Sequence, residues 1–393
     1  ASQFGNHSAQ NQATGERWSA RPSGQGLKFN WISPIVISKH HPDIIYVGSQ
    51  FVHRSFNQGR RFEAISPDLT KQLKGGDVPI STLTALDESP FKFGVLYAGA
   101  DDGSVHMTKD GGVTWSNINT PQPDRWVTRL IASKHDAGTV YCTQNGYRQD
   151  QWEPYVWKST DYGRTWVSIA SNLPWEPVNT IREDPEDENV LYVGTDMGVF
   201  VSIDQGESWM VYGGMLPHVP VHDLVIQERE KDMVIATHAR SVFVIDTEPI
   251  AELTKEIREK DLYLWEVSDM RARATWGYDR KQPWDKSEPN EPMQNGRFYS
   301  KVHGTGKLEV VAENGTVVKS QDLEVVPGFN FYEFGLQLKP RASKDPKKVK
   351  DPKTLEEALA DPYARPVYMA PGEYKIRITV NGVMQETDWE IDG

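Results

Sequence analysis

The chain has one cysteine, Cys142, in 393 residues. No intrachain disulfide is possible, so cysteine usage does not reveal the compartment. Cys142 lies in an expected strand and reads as a buried, inert thiol. No apolar run is long enough to span a membrane, and no signal peptide is visible at Ala1. Basic residues are in deficit: 43 Lys and Arg stand against 55 Asp and Glu, a net charge of −12. That balance argues against a nucleic-acid partner and favours solubility. Standard catalytic signatures are missing too. There is no HExxH, GxSxG, P-loop or Cys/His zinc spacing, and no cofactor or metal is expected. The polar start Ala1-Ser2-Gln3-Phe4-Gly5-Asn6 lacks an initiator Met. It reads as a processed or internal start, as in an exported fragment.

Glycine, proline and tryptophan are plentiful, at 31, 25 and 13 residues, which suits a turn-rich all-β protein. A signature of the form Ser/Thr-x-Asp-x-Gly-x-Thr-Trp recurs. Its copies begin at Ser55, Thr108, Ser159 and Ser202, spaced 53, 51 and 43 residues apart. Asp110, Gly112 and Trp115 occupy the key places in one copy, Asp161, Gly163 and Trp166 in the next, and Asp204, Gly206 and Trp209 in the third. In the copy at Ser55, Asn57 replaces Asp and Phe62 replaces Trp. The period is that of a β-propeller blade. Before each signature come an apolar strand, a polar turn and a β-rich segment such as Leu96-Tyr97-Ala98-Gly99. Each unit therefore offers four short strands. A fifth repeat runs from Val221 to Asp246 without the signature. The recurring Asp residues read as structural: Asp bonds to backbone amides along a turn, Gly supplies the backbone angle, and Trp packs between strands.

These residues give a resemblance to the Asp-box or BNR-repeat propellers, which include sialidases, two-propeller xyloglucanases and sortilin-type ectodomains. Residues 30 to 247 look like part of large extracytoplasmic bacterial proteins labelled sortilin-like or "glycosyl hydrolase". The matching phrases include Ile65-Ser66-Pro67-Asp68-Leu69-Thr70 and Pro220-Val221-His222-Asp223-Leu224. The resemblance implies a secreted, periplasmic or outer-surface protein of bacterial type. Members commonly carry further propeller sequence upstream. Five repeats either close on themselves or belong to a larger ring. The second case expects another polypeptide, or a cleaved N-terminal part, to complete the propeller.

The expected organisation is an irregular segment over 1–26, blades over 27–249, and a connector over 250–296. An immunoglobulin-like β-sandwich follows over 297–393, with a charged insertion at 339–366. Asn314-Gly315 and Asn381-Gly382 each mark a hairpin there. The connector reads as a strap on the propeller side, carrying Trp276 and Trp284, and Lys255 to Lys260 is compatible with a helix.

Three functions stay open. A binding or assembly module would recognise a protein, peptide or glycan through a loop face. The longest loop, Gln144 to Pro154, offers Tyr147 and Trp152 for stacking and Arg148 and Asp150 for hydrogen bonds, with Trp126 nearby. Arg129, Arg182 and Arg240 are candidates for the central channel. A glycoside hydrolase would need two carboxylates flanking the scissile bond. Asp223 is the best single candidate, with His222, His238 and Arg240 in its repeat. The plainer reading makes these four a satisfied polar network. The third possibility is a structural subunit of a cell-surface complex.

Overall fold

The computed structural model describes residues 3–75, 79–212, 216–238, 241–273, 276, 291–339 and 367–393. The chain is all-β and forms two compact units, Ala1–Ala251 and Glu252–Gly393. The first unit holds five consecutive antiparallel meanders, here called blades 1 to 5. Their first strands are Ile35–Ile37, Leu83–Glu88, Trp126–Ala132, Val178–Glu183 and Val221–Gln227. These five strands pack on one another in succession and form the inner side of the arc. Blades 1 to 4 have four strands each and blade 5 has three. The first 26 residues are not wholly irregular: Ser8–Gln10 pairs with Arg17–Ser19 as a short hairpin.

Each signature folds into one turn. Asp161 accepts from Ser159 Oγ (2.8 Å), Thr165 N (2.9 Å) and Thr165 Oγ1 (2.8 Å). Asp110 and Asp204 repeat the pattern with their own hydroxyl neighbours. Asn57 still accepts from Ser55 Oγ and Arg61 N, so the degenerate copy keeps the turn. These donors pull the Asp110 and Asp161 carboxyls down to about 2. Gly163 has φ 82°, and a Cβ there would lie 2.5 Å from Ile118 Cδ1, so both backbone angle and space require glycine. The tryptophans join blades: Trp115, Trp166 and Trp209 donate Nε1–H to the carbonyls of Ile65, Ile118 and Ile169 in the preceding blade.

Apolar cores lie between blades rather than within them. Tyr46, Val52 and Leu69 of blade 1 pack on Leu83, Leu86 and Leu96 of blade 2. Val127, Leu130 and Cys142 of blade 3 pack on Tyr97, Val105 and Met107 of blade 2. Burial pushes the Cys142 thiol far above its ordinary range. Contact is close because the second strand carries a small residue where the next inner strand crosses. A Cβ on Gly99 would sit 2.4 Å from Val127 Cγ1, and one on Gly194 would sit 2.6 Å from Val221 Cγ1.

Polar fasteners repeat with the blades. Every inner strand after the first has a register shift at one equivalent place, at Leu83/Ala85, Val127/Arg129, Val178/Thr180 and Val221/Asp223. At two of these bulges Thr84 and Thr128 reach across to Val127 O (2.6 Å) and Val178 O (3.0 Å) of the next blade. Two buried glutamates clamp the preceding blade. Glu88 accepts from Ser38 Oγ, Lys39 N and Tyr46 OH. Glu183 accepts from Ser133 Oγ, Lys134 N and Tyr141 OH. His40 and His135 add bonds to Ser89 O and Asp184 O. At the seam of blades 2 and 3 the equivalent position is Ala132, and the buried Tyr97 hydroxyl has no protein partner there.

The second unit packs two antiparallel ladders around one core. The first contains Leu262–Leu264, Met293–Ser300 and Gly328–Gly335. The second runs Val383–Asp392, Gly372–Val380, Gly304–Ala312, Val317–Val325, with Met270–Arg271 added in parallel at its edge. Phe298, Tyr332, Phe334 and Trp389 fill the core between them. The charged stretch forms one short helix, Lys255–Glu259, capped by Thr254 Oγ1 accepting from Ile257 N. Trp276 packs edge-on against Tyr368 at the core of this second unit, where the sequence placed it on the propeller side. The correction follows from hydrophobic contact, which decides where a strap docks. Trp284 and nearly all of the 339–366 insertion lie outside the described residues.

Two stability predictions follow from the clamps and the burial. Glu183→Ala should lower unfolding free energy by about 2–4 kcal/mol in urea, because three buried donors lose their acceptor. A change below the error of the fit would show that the clamp is dispensable. Burial lowers His53 to about 4. An unfolded histidine titrates near 6.5, so this neutral ring stabilises the fold above that pH. The benefit is lost as pH falls from about 6.5 towards 4, and His53→Gln should flatten the urea midpoint over that window.

Candidate functional site

The aromatic candidates sit at one end of blade 3. The presumed long loop is a tight hairpin: the second strand continues to Gly146, a 3₁₀ turn covers Tyr147–Gln149, and the third strand starts at Gln151. Alternation beyond Gln144 was hidden in the sequence by polar side chains, but backbone pairing continues to Gly146 opposite Gln151. Asp150 closes the turn in a left-handed conformation, φ 55°. That role places Asp150 in the backbone of the tip.

Trp126 opens the inner strand and pairs with Asn145, which brings its ring beside the tip. The Arg148 guanidinium lies 3.9 Å from the Trp126 ring centroid and 4.4 Å from that of Tyr147. Desolvation by these rings holds Arg148 below the ordinary arginine range. Tyr147 and Trp152 remain 39% and 47% exposed, enough to leave ring surface for a ligand. Below the tip, Arg125 Nε donates to Gln151 Oε1 (2.7 Å), and Tyr155 OH donates to Glu153 Oε2 (2.7 Å). The hairpin is therefore braced from beneath. Trp175, 68% exposed in the loop before the inner strand of blade 4, is an aromatic at the same end of the strands that sequence reading passed over. Its Pro174-Trp175-Glu176 context was the available signal.

The inner-strand candidates form a second cluster, differently composed from the expected one. Among the described residues, Asp223 forms its ion pairs away from His222 and His238. Its Oδ1 lies 2.7 Å from Arg129 and 2.7 Å from Arg182, on the inner strands of the two preceding blades. Register explains this. Arg129 and Asp223 occupy the same step of their strands, two blades apart, and Arg129 Nε reaches past Thr180 Oγ1 at 3.3 Å. Desolvation and the Arg129 charge pull Arg182 down to about 10. The His222 and His238 rings face each other at 5.2 Å, and burial and His238 lower His222. Arg240 lies outside the described residues. Chemically, the cluster is a carboxylate bolted by two guanidiniums, which ties three blades together. Among the described residues no three His, Cys, Asp or Glu side chains converge as metal ligands. Within the run Glu183 to Glu188, Glu183 accepts from Ser133 and Lys134, Asp184 from turn amides, and Glu186 pairs with Lys231.

No family model matches the chain. Over 132 residues, 29% of its length, it is 28% identical to xyloglucanase Xgh74A of Acetivibrio thermocellus. It covers 16% of that enzyme. The solved structures it is similar to are β-propellers, each at 12% identity. One is the β-propeller domain of Myceliophteria thermophila Cps50 (Swd1), with TM-score 0.43, 57% of this chain and 69% of that chain covered. The GH74 xyloglucanase of Xanthomonas campestris matches with TM-score 0.43 over 91% of this chain and 54% of its own. YCF48 bound to D1 peptide gives 0.41, over 59% and 68%. No described helix is long and apolar enough to cross a membrane, which says nothing of a β-barrel.

Asp223→Ala should cost about 1–2 kcal/mol by denaturant unfolding, because it leaves two guanidiniums facing each other. The carboxylate is 39% exposed, which keeps the cost below that of a sealed pair. Arg129→Ala made in the same background should restore part of the loss, and a purely additive double variant would break the ion-pair account.

Proposed function

We propose that this chain is an extracytoplasmic binding module that takes a glycan or an extended peptide on the rim of blade 3. The observation supporting this reading is the pair of half-exposed rings, Tyr147 and Trp152, beside Arg148 held over Trp126. Ring faces stack on the C–H face of a sugar or on a peptide side chain. A guanidinium already fixed over aromatic rings gives up little rotamer freedom when it donates to a ligand. The extracytoplasmic setting rests on the resemblance to Asp-box propellers. Calorimetric titration with xyloglucan oligosaccharides in one arm and an extended peptide library in the other tests the proposal. Trp152→Ala and Arg148→Ala should each weaken binding about five- to tenfold, near 1 kcal/mol, while Glu207→Ala on a distant turn should not. Binding that ignores both rim changes, or no binding in either arm, would remove the rim from consideration.

A second reading, glycoside hydrolysis, is favoured by the partial sequence similarity to a xyloglucanase. It requires two carboxylates about 5–10 Å apart across a sugar. Asp223 is the carboxylate of the inner strands to test, although its Oδ1 is taken by two arginines. Release of reducing ends from xyloglucan, abolished in Asp223→Asn, would establish this reading, and no release from the wild-type chain would end it.

A further inference from the structure

The repeated seam between blades has two halves, and among the described residues each end of the arc leaves apolar side chains of one half exposed. Strand pairing sets the equivalences. Ile35 and Ile37 take the places of Leu86 and Glu88, and counting back along the chain from them sets Ile32 against Leu83. Leu83 and Leu86 belong to the core shared with the preceding blade. Leu83 is fully buried there, whereas Ile32 is 68% and Ile37 62% exposed. At the other end, Val242 of blade 5 pairs with Ala236 as Val199 pairs with Gly194 in blade 4. Val199 is buried, whereas Val242 is 60% exposed. The blade 1 and blade 5 faces are complementary halves of one interface, and they do not cover each other.

We propose that these two faces are docking surfaces for at least one further propeller blade, and that this blade comes from polypeptide outside these 393 residues. The established seams specify its chemistry. Towards blade 1 it presents a second strand with a small residue, as Gly48 does to Leu83. Towards blade 5 it presents an inner strand with a buried aliphatic residue, as Val221 does to Gly194. Its turn facing Ile37 needs no Ser-Lys-His, because Ile37 replaces the glutamate that holds that turn elsewhere. Among the described residues no further blade is left to fill the gap, since the remaining strands form the second unit and a short hairpin. Exposed strand faces and edges of this kind seek partners. The inference is independent of what the rim binds.

The test has two arms. In the purified chain, Ile32→Asp and Val242→Asp should each shift the melting temperature by less than about 2 °C, and Leu83→Asp by more than about 8 °C. Equal destabilisation by Ile32→Asp would mean that the end face is already sealed, and the proposal would fall. In cells of the source organism, Ile37 replaced by p-benzoylphenylalanine should crosslink to a blade-type segment outside this chain. Adducts confined to this chain or to a second copy, or none above the level given by the same group at Glu207, would overturn it.

Discussion

Face-to-face packing of one blade on the next carries the first unit. A blade's apolar residues point at its neighbours, so no blade hides its own core. Everything else serves that contact. The glycines on the second strands let inner strands approach, the signature turns aim a tryptophan at the preceding blade, and the bulges free a threonine to reach the following one. The Arg129–Asp223–Arg182 cluster does the same over three blades. Most of the conspicuous polar chemistry is therefore architecture.

The rim draws its order from the same source. Trp126 stands at the head of an inner strand held on both sides, and the hairpin opposite it is braced by Arg125 and Gln151. The guanidinium of Arg148 is thus placed by the framework rather than by a ligand. A hydrogen-bonded hairpin tip with half-exposed rings differs from a flexible loop that must be ordered on binding.

Much of this was legible in the sequence because turns are local. Asp, Gly and Trp at fixed offsets dictate their own geometry, and the copy with Asn57 survives because an amide oxygen accepts the same two bonds. What depends on register between blades was not legible. Nothing near Asp223 in the chain announces Arg129, since the pairing needs the step count of three strands. The Gln144–Pro154 stretch reads as a loop because its polar residues mask a strand whose ladder is made by the backbone. The glutamate clamps left a trace that went unread: Ser-Lys-His occurs at both Ser38 and Ser133, one before each clamping glutamate. A two-blade period sits inside the one-blade period.

That doubled period gives the arc a grain. Blades 1 and 2 share one buried carboxylate and blades 3 and 4 another, whereas at the seam between the pairs Ala132 N donates to Asp87 Oδ2 and the Tyr97 hydroxyl has no protein partner. Blades 1 to 4 thus fall into two clamped pairs, with blade 5 outside both, rather than into five equal wedges. Blades that meet through the same turn and the same tryptophan are therefore fastened at their far ends by different chemistry from seam to seam.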